Sequence, residues 1–294
     1  MKFLCIYHAD CTDGFAAAWA VHRTLGDSVK FAAYQYQEPF LPLYIGMVTN
    51  CHVLIVDFSF PLNELLGIAQ VATSLVILDH HHTAASDLAT LPPPGHEVYE
   101  QFVLHGGIRP RTPAAIFDVN RSGAGITWDF VHGGERPWII DAVEDRDLWR
   151  FKRPGTREIH AALGIEPRTL EHWDNLYNQN KESDLIAKGA VILAAHDANV
   201  KTVASTTVRW MRLGGVLMPI ANAPHFMASD VGRALCDEYQ QCAGSYFDSP
   251  RGRRFSLRSD DLKHDVSVIA KSYGGGGHRN AAGFKAPIGY EGDE

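Results

Sequence analysis

The 294-residue sequence is poor in cysteine. It has five (Cys5, Cys11, Cys51, Cys236 and Cys242), an odd number with no CxxC pair. A disulfide framework is excluded, and a reducing cytoplasm is the expected setting. No window reaches the ~18 consecutive apolar residues of a membrane span. The opening MKFLCIYHAD offers only about five apolar residues before His8, too few for the apolar core of a signal peptide. Positive charge is also scarce: 27 Lys and Arg face 34 Asp and Glu, for a net charge of -7. A basic coat for long duplex DNA is thereby excluded, so any nucleic-acid contact has to be local. No internal repeat or long low-complexity stretch is present.

What is present is core material. The chain is 46% hydrophobic, and its length favours two domains over one. KFLCIYH (2–8), HVLIVDF (52–58) and SLVILDH (74–80) read as strands. They are continuously apolar, not alternating, which marks a parallel sheet covered by helices on both faces. Helices are expected over FAAAWAVHRTLG (15–26), LNELLGIAQVA after Pro61, SGAGITWDFVHGG (122–134) and the first part of PWIIDAVEDRDLWRF (137–151). ATLPPPGHE (89–97) reads as a loop. A long helix from about residue 182 forms a connector. The strand-like GGVLMPIANA (214–223), a helix at 229–239 and a hairpin from AGSYFDS and RRFSLRS follow. The expected fold class is α/β, with a catalytic domain over 1–185, a connector over 186–205 and a smaller α/β domain over 206–294 across a cleft.

All three early strands end in metal-capable side chains. The first delivers His8, Asp10 and Asp13, the second Asp57, and the third Asp79, His80 and His81. Ligands in open α/β sheets bind beyond the carboxyl ends of the strands. Asp13 alone also reads as a helix cap, Asp57 as a turn residue and His82 as a solvated side chain. A surface loop has no reason to repeat the placement three times. Clustered carboxylates repel one another and raise their pKa values unless a cation neutralises them. Carboxylates mixed with imidazole suit Mn²⁺, Mg²⁺ or Fe²⁺, and two such ions about 3.5–4 Å apart stabilise phosphate in an in-line displacement.

These motifs resemble the DHH phosphoesterase superfamily. YHADCTDGFAAAW, VDFS, LDHHHTA, VEDRDLW and GGGGHRNAAGF resemble its five motifs, in order along nearly the whole chain. The resemblance implies two Mn²⁺ per chain. His8 and Asp57 would hold one; Asp13, Asp57, His80 and Asp145 would hold the other, with Asp147 as the alternative to Asp145. It places His81 beside the scissile phosphate as hydrogen-bond donor or general acid, and Asp79 as the residue orienting the site. One departure stands out: Cys11 lies two before Asp13, where relatives often carry a carboxylate. Either Asp10 takes that place or the first ion has a poorer shell; a thiolate would favour softer metals.

In the second domain Gly275, Gly276 and Gly277 allow close backbone approach to an anion, beside the donors of His278 and Arg279. A helix starting near Asn280 would add its dipole. Arg251, Arg253, Arg254 and Arg258 form a local basic patch, and the resemblance assigns Arg258 to substrate phosphate and Ser122 to the active-site edge. Tyr246, Phe247 and Phe255 are candidates for base stacking. The expected activity is hydrolysis of short oligonucleotides, or of linear or cyclic dinucleotides, to mononucleotides. The alternatives are a phosphomonoesterase acting on 3′-phosphoadenosine 5′-phosphate, a polyphosphatase, and a nucleotide sensor with weak catalysis. No membrane partner is expected, and a homodimer is allowed.

Overall fold

A computed structural model describes residues 2–35, 41–95, 112–260 and 264–294. The expected loop at 89–97 continues past the described residues after 95. The chain divides into two compact units, Met1–Ile192 and Leu193–Glu294. Among the described residues no helix is long and apolar enough to cross a membrane.

The first unit alternates strand and helix: β1 (Phe3–His8), α1 (Thr12–Leu25), β2 (Val29–Tyr34), α2 (Leu41–Val48), β3 (His52–Val56), α3 (Leu62–Val71), β4 (Ser74–Asp79), α4 (His82–Asp87) and β5 (Ala114–Phe117). Helices α5 (Gly123–Val131), α6 (Trp138–Asp147), α7 (Thr156–Leu163) and α8 (Leu170–Asn178) follow. The sheet is parallel throughout, in the order β2-β1-β3-β4-β5. Both faces are covered, as side-chain alternation requires. In β3, Leu54 and Val56 join a core with α1, α5 and α8, while Val53 and Ile55 join a second core with Leu65 and Ile68 of α3. Each fully buried leucine or isoleucine contributes about 1.5–3 kcal/mol. The run Phe15–Val21 of α1 is wholly buried, and its alanines let the helix press against β1 and α5. β2 and β5, the edge strands, were not expected from the sequence.

Helix α9 (Glu182–Thr207) carries the division between the units within its 26 residues. The second unit continues with β6 (Arg209–Leu213), β7 (Val216–Asn222), α10 (Ala228–Tyr239), β8 (Ala243–Ser249), β9 (Gly252–Arg258), α11 (Val266–Ser272), β10 (Gly276–His278) and β11 (Ala281–Ala286). Its sheet order is β10-β11-β9-β8-β7-β6, antiparallel except where β7 meets β8. The helix expected near Asn280 is a strand instead: Ala281–Ala286 pair in register with Arg258–Arg253 of β9. Tertiary pairing overrides the helical preference of the two alanines. Tyr246 and Phe255 are buried in this unit's core and present no face to a base.

Candidate metal centre

The order β2-β1-β3 places the reversal of strand order, the switch point of this parallel sheet, between β1 and β3. Ligands of open α/β sheets gather at that point. His8 ends β1 and Asp57 follows β3 directly; His8 Nδ1 lies 3.6 Å from a carboxylate oxygen of Asp57. Asp57 has φ 54°, a left-handed conformation uncommon for a residue with a side chain. The turn is made possible by two glycines. A Cβ on Gly14 would meet the His8 carbonyl oxygen at 2.4 Å, and one on Gly123 would meet Asp57 Cβ at 2.4 Å.

β4 supplies the other half. His80 Nε2 lies 3.2 Å from Asp57, 3.7 Å from Asp147 and 3.8 Å from Asp13. Asp79 is fully buried. One of its oxygens accepts from Ser59 Oγ at 2.7 Å. The other accepts from the His80 N–H at 2.7 Å and from His81 Nδ1 at 2.7 Å. Asp79 thus fixes the His81 ring and its tautomer, as a carboxylate behind a working histidine does. Asp13 sits in the first turn of α1 at 2% exposure and caps a different helix. It accepts from the N–H groups of Gly123 (2.7 Å) and Ala124 (3.0 Å) at the start of α5.

The electrostatics separate the two buried carboxylates. Burial would raise Asp57, but the His8 and His80 rings outweigh it and hold its pKa well below the usual range. Burial, then Asp57, then Asp147, push Asp13 well above it. Burial alone would depress His80 and His81, yet the carboxylates of Asp57 and Asp79 respectively lead the opposing effects and hold both pKa values above normal. Burial, then Asp57 and Asp13, push the Cys11 thiol up.

The residues fit a bound cation. Asp57 is 1% exposed, and neither of its oxygens is satisfied by a hydrogen bond of ordinary geometry. Two such buried carboxylate oxygens are costly alone and are natural acceptors of a divalent ion. Donor atoms of His8, Cys11 and Asp57 lie within 4.8 Å of one another, as do those of Asp13, His80 and Asp147, and those of Asp57, Asp79, His80 and His81. A mixed carboxylate–imidazole set suits Mn²⁺ or Mg²⁺.

Several expected site residues lie elsewhere. Asp10 is exposed and accepts from Gln35 Nε2 at 2.5 Å; Cys11, not Asp10, joins His8 and Asp57. Asp145 also turns away from the cluster. Its oxygens accept from the N–H groups of Lys152 and Arg153 and from Thr156 Oγ1, and Asp147 faces His80 in its place. Ser122 is fully buried and its Oγ caps α5 by accepting from the Gly125 N–H at 3.0 Å, so it has no surface for substrate. His82 is exposed at the start of α4. In the second unit the glycine run forms a turn and hairpin. Gly274 (φ 74°) and Gly277 (φ 136°) need left-handed backbone, and a Cβ on Gly275 would strike the Gly283 carbonyl oxygen at 2.2 Å. Gly276 has open space around its Cα, and His278 and Arg279 are exposed. Arg253 is committed to Asp248 by a two-pronged contact at 2.7 and 2.9 Å. The half-buried Arg258 donates to Leu257 O and to the hydroxyls of Ser256 and Ser229; among the described residues no carboxylate pairs with it.

Sequence reasoning missed Gly14 and Gly123, whose value rests on close approach, and the buried Glu144. Glu144 accepts from Arg121, Arg136 and the Ser122 N–H behind the start of α5. Gly14 lies in the first motif and Gly123 in the helical stretch 122–134, but nothing in the sequence says what stands next to them.

No family model matches the chain. An uncharacterised protein of Acanthamoeba polyphaga mimivirus is 27% identical over 298 residues, covering 95% of this chain and 66% of that protein. The chain thus spans about two thirds of the relative's length. Among solved structures, the DHH domain of a member of a family of ribosomal proteins matches with a TM-score of 0.59 and 14% identity, covering 97% of this chain and 82% of that one. RecJ from Thermus thermophilus, in complex with Mn²⁺, matches with a TM-score of 0.54 and 14% identity, over 97% of this chain and 49% of that one. The chain thus has the fold of these DHH-domain structures.

Proposed function

We propose that this chain is a metal-dependent phosphodiesterase that cleaves short oligonucleotides and dinucleotides to mononucleotides. The observation that carries the reading is Asp57: buried, unsatisfied at both oxygens, and flanked by His8 and His80 at the sheet's reversal point. Two Mn²⁺ per chain are the expected ions, as the Mn²⁺ complex of the fold neighbour RecJ supports. When bound, such ions supply Lewis-acid stabilisation of phosphate charge. Asp57 would bridge the two positions, with His8 on one side and Asp13, His80 and Asp147 on the other. Asp79 holds the His81 proton at Nδ1, so proton transfer to a leaving oxygen falls to Nε2. Arg258 is the cation assigned to an anchoring phosphate, because among the described residues no carboxylate occupies it.

A nucleotide is favoured over inorganic polyphosphate by the turn after α6. Trp149 (φ 55°, 50% exposed) and Phe151 (φ 48°) both adopt left-handed backbone. Their rings meet edge-on at 5.0 Å, with the Arg146 guanidinium 4.1 Å from the Trp149 ring centre. Trp149 lies two residues after Asp147, so their Cα atoms are at most about 7.6 Å apart. We take Trp149 as the aromatic platform for a nucleoside whose phosphate is held at the ligand set. Stacking a base contributes about 1–3 kcal/mol. Trp149→Ala is therefore expected to raise KM for a dinucleotide about 5–150-fold at little cost in kcat, and to spare base-free pyrophosphate esters. Product analysis on linear, cyclic and monomeric nucleotides with Mn²⁺ tests the whole reading. A panel left uncut, or cut equally by Asp57→Ala, sinks it.

A further inference from the structure

We propose that Cys11 is a metal ligand, so that His8, Cys11 and Asp57 form a sulfur–nitrogen–oxygen site for a softer divalent ion of the Zn²⁺, Co²⁺ or Fe²⁺ class. The opposite side of Asp57, facing Asp13, His80 and Asp147, keeps the harder oxygen-rich character that suits Mn²⁺ or Mg²⁺. The inference rests on the metal-dependent reading and refines it: the two positions differ in the ions they select.

Three observations carry it. The donor atoms of His8, Cys11 and Asp57 lie within 4.8 Å of one another. Asp57, only 1% exposed, brings to that cluster carboxylate oxygens that no hydrogen bond satisfies. Local structure leaves the Cys11 sulfur available. It occupies the residue before α1 in extended backbone (φ -111°, ψ 137°), where serine, threonine, aspartate or asparagine would cap the helix. Its side chain makes no capping hydrogen bond of that kind. The neighbouring hard ligand, the Asp10 carboxylate, is turned to Gln35.

Ligand softness decides the ion. Thiolate sulfur favours Zn²⁺, Co²⁺ and Fe²⁺ over Mn²⁺ and Mg²⁺, while carboxylates and water favour the latter pair. On binding, the thiol proton leaves to bulk water and the sulfur lone pair goes to the ion, with no change of oxidation state.

Cobalt reports its ligands by colour, so the metal-free full-length protein titrated with Co²⁺ tests the proposal without reference to activity. The expected result is a near-ultraviolet sulfur-to-cobalt charge-transfer band in the parent chain. Cys11→Ser loses that band yet still binds cobalt through the remaining ligands. By competition, Cys11→Ser weakens Zn²⁺ binding by about 10–100-fold, the scale seen when even an outer partner of a ligand is lost. Cys11→Asp shifts preference toward Mn²⁺, and guards against a folding defect in the serine variant. Cobalt bound without the band, or a band that survives Cys11→Ser, overturns the role of Cys11 and leaves the phosphodiesterase reading standing. No cobalt bound by the parent chain, or binding unchanged by Asp57→Ala, overturns both.

Discussion

Asp145 and Asp147 are two residues apart near the end of α6. Residues at that spacing on a helix face in different directions, so only one of the pair can reach His80. The sequence offered both carboxylates, and only the helix phase selects Asp147. By contrast, the gathering of His8, Asp13, Asp57, His80 and His81 was legible, because a strand or helix end states where its next side chain goes. Asp147→Asn should therefore lose metal affinity and activity while melting like the parent. Asp79 makes a different prediction. Asp79→Asn keeps the shape but can no longer hold His81 by the same charge, and kcat should fall by about 10²-fold or more with KM little changed. Steady-state kinetics on the nucleotide panel checks both; an Asp79→Asn variant at parental kcat would remove His81 from the chemistry.

The turn from α6 to α7 hangs on one carboxylate. Asp145 binds two backbone N–H groups and a hydroxyl across residues 152–156. Burial would raise its pKa, but the Thr156 hydroxyl and those N–H groups hold it below the ordinary range. A depressed folded pKa gives stability that is present above the unfolded value, near about 3.9, and is lost as pH falls through the folded one. Asp145→Ala should cost about 2–4 kcal/mol at neutral pH. Asp145→Asn should lose less stability than the parent between about pH 5 and pH 2, as denaturant melts would show. At the start of α5, Gly123→Ala forces a Cβ into Asp57 and should destabilise by about 1–3 kcal/mol while weakening metal binding. Elements buried on both sides were readable from their apolar runs. The edge strands β2 and β5, and β11 with its alanines, owe their form to neighbours far along the chain, and local preference did not announce them.

At the scale of the molecule, each unit has its own apolar cores. The candidate metal ligands all belong to the first. A ligand that binds only the folded form stabilises by about 2.7 kcal/mol at a hundredfold excess over Kd. Calorimetry with and without EDTA should therefore show the transition of the first unit shifting and that of the second staying in place. A single transition that moves as one would mean that the units melt together. Composition at this scale spoke clearly about size and charge; the division between the two units falls inside α9.

Gly14 and Gly123 carry no functional group, yet the ligand set cannot exist without the room they leave. In a saturation mutagenesis screen scored by activity, both positions would rank beside the histidines and aspartates. A reader of that screen would then assign catalysis to two residues whose whole contribution is an absent methyl group. Transplanting this centre to another parallel sheet would likewise fail if only the coordinating side chains were moved.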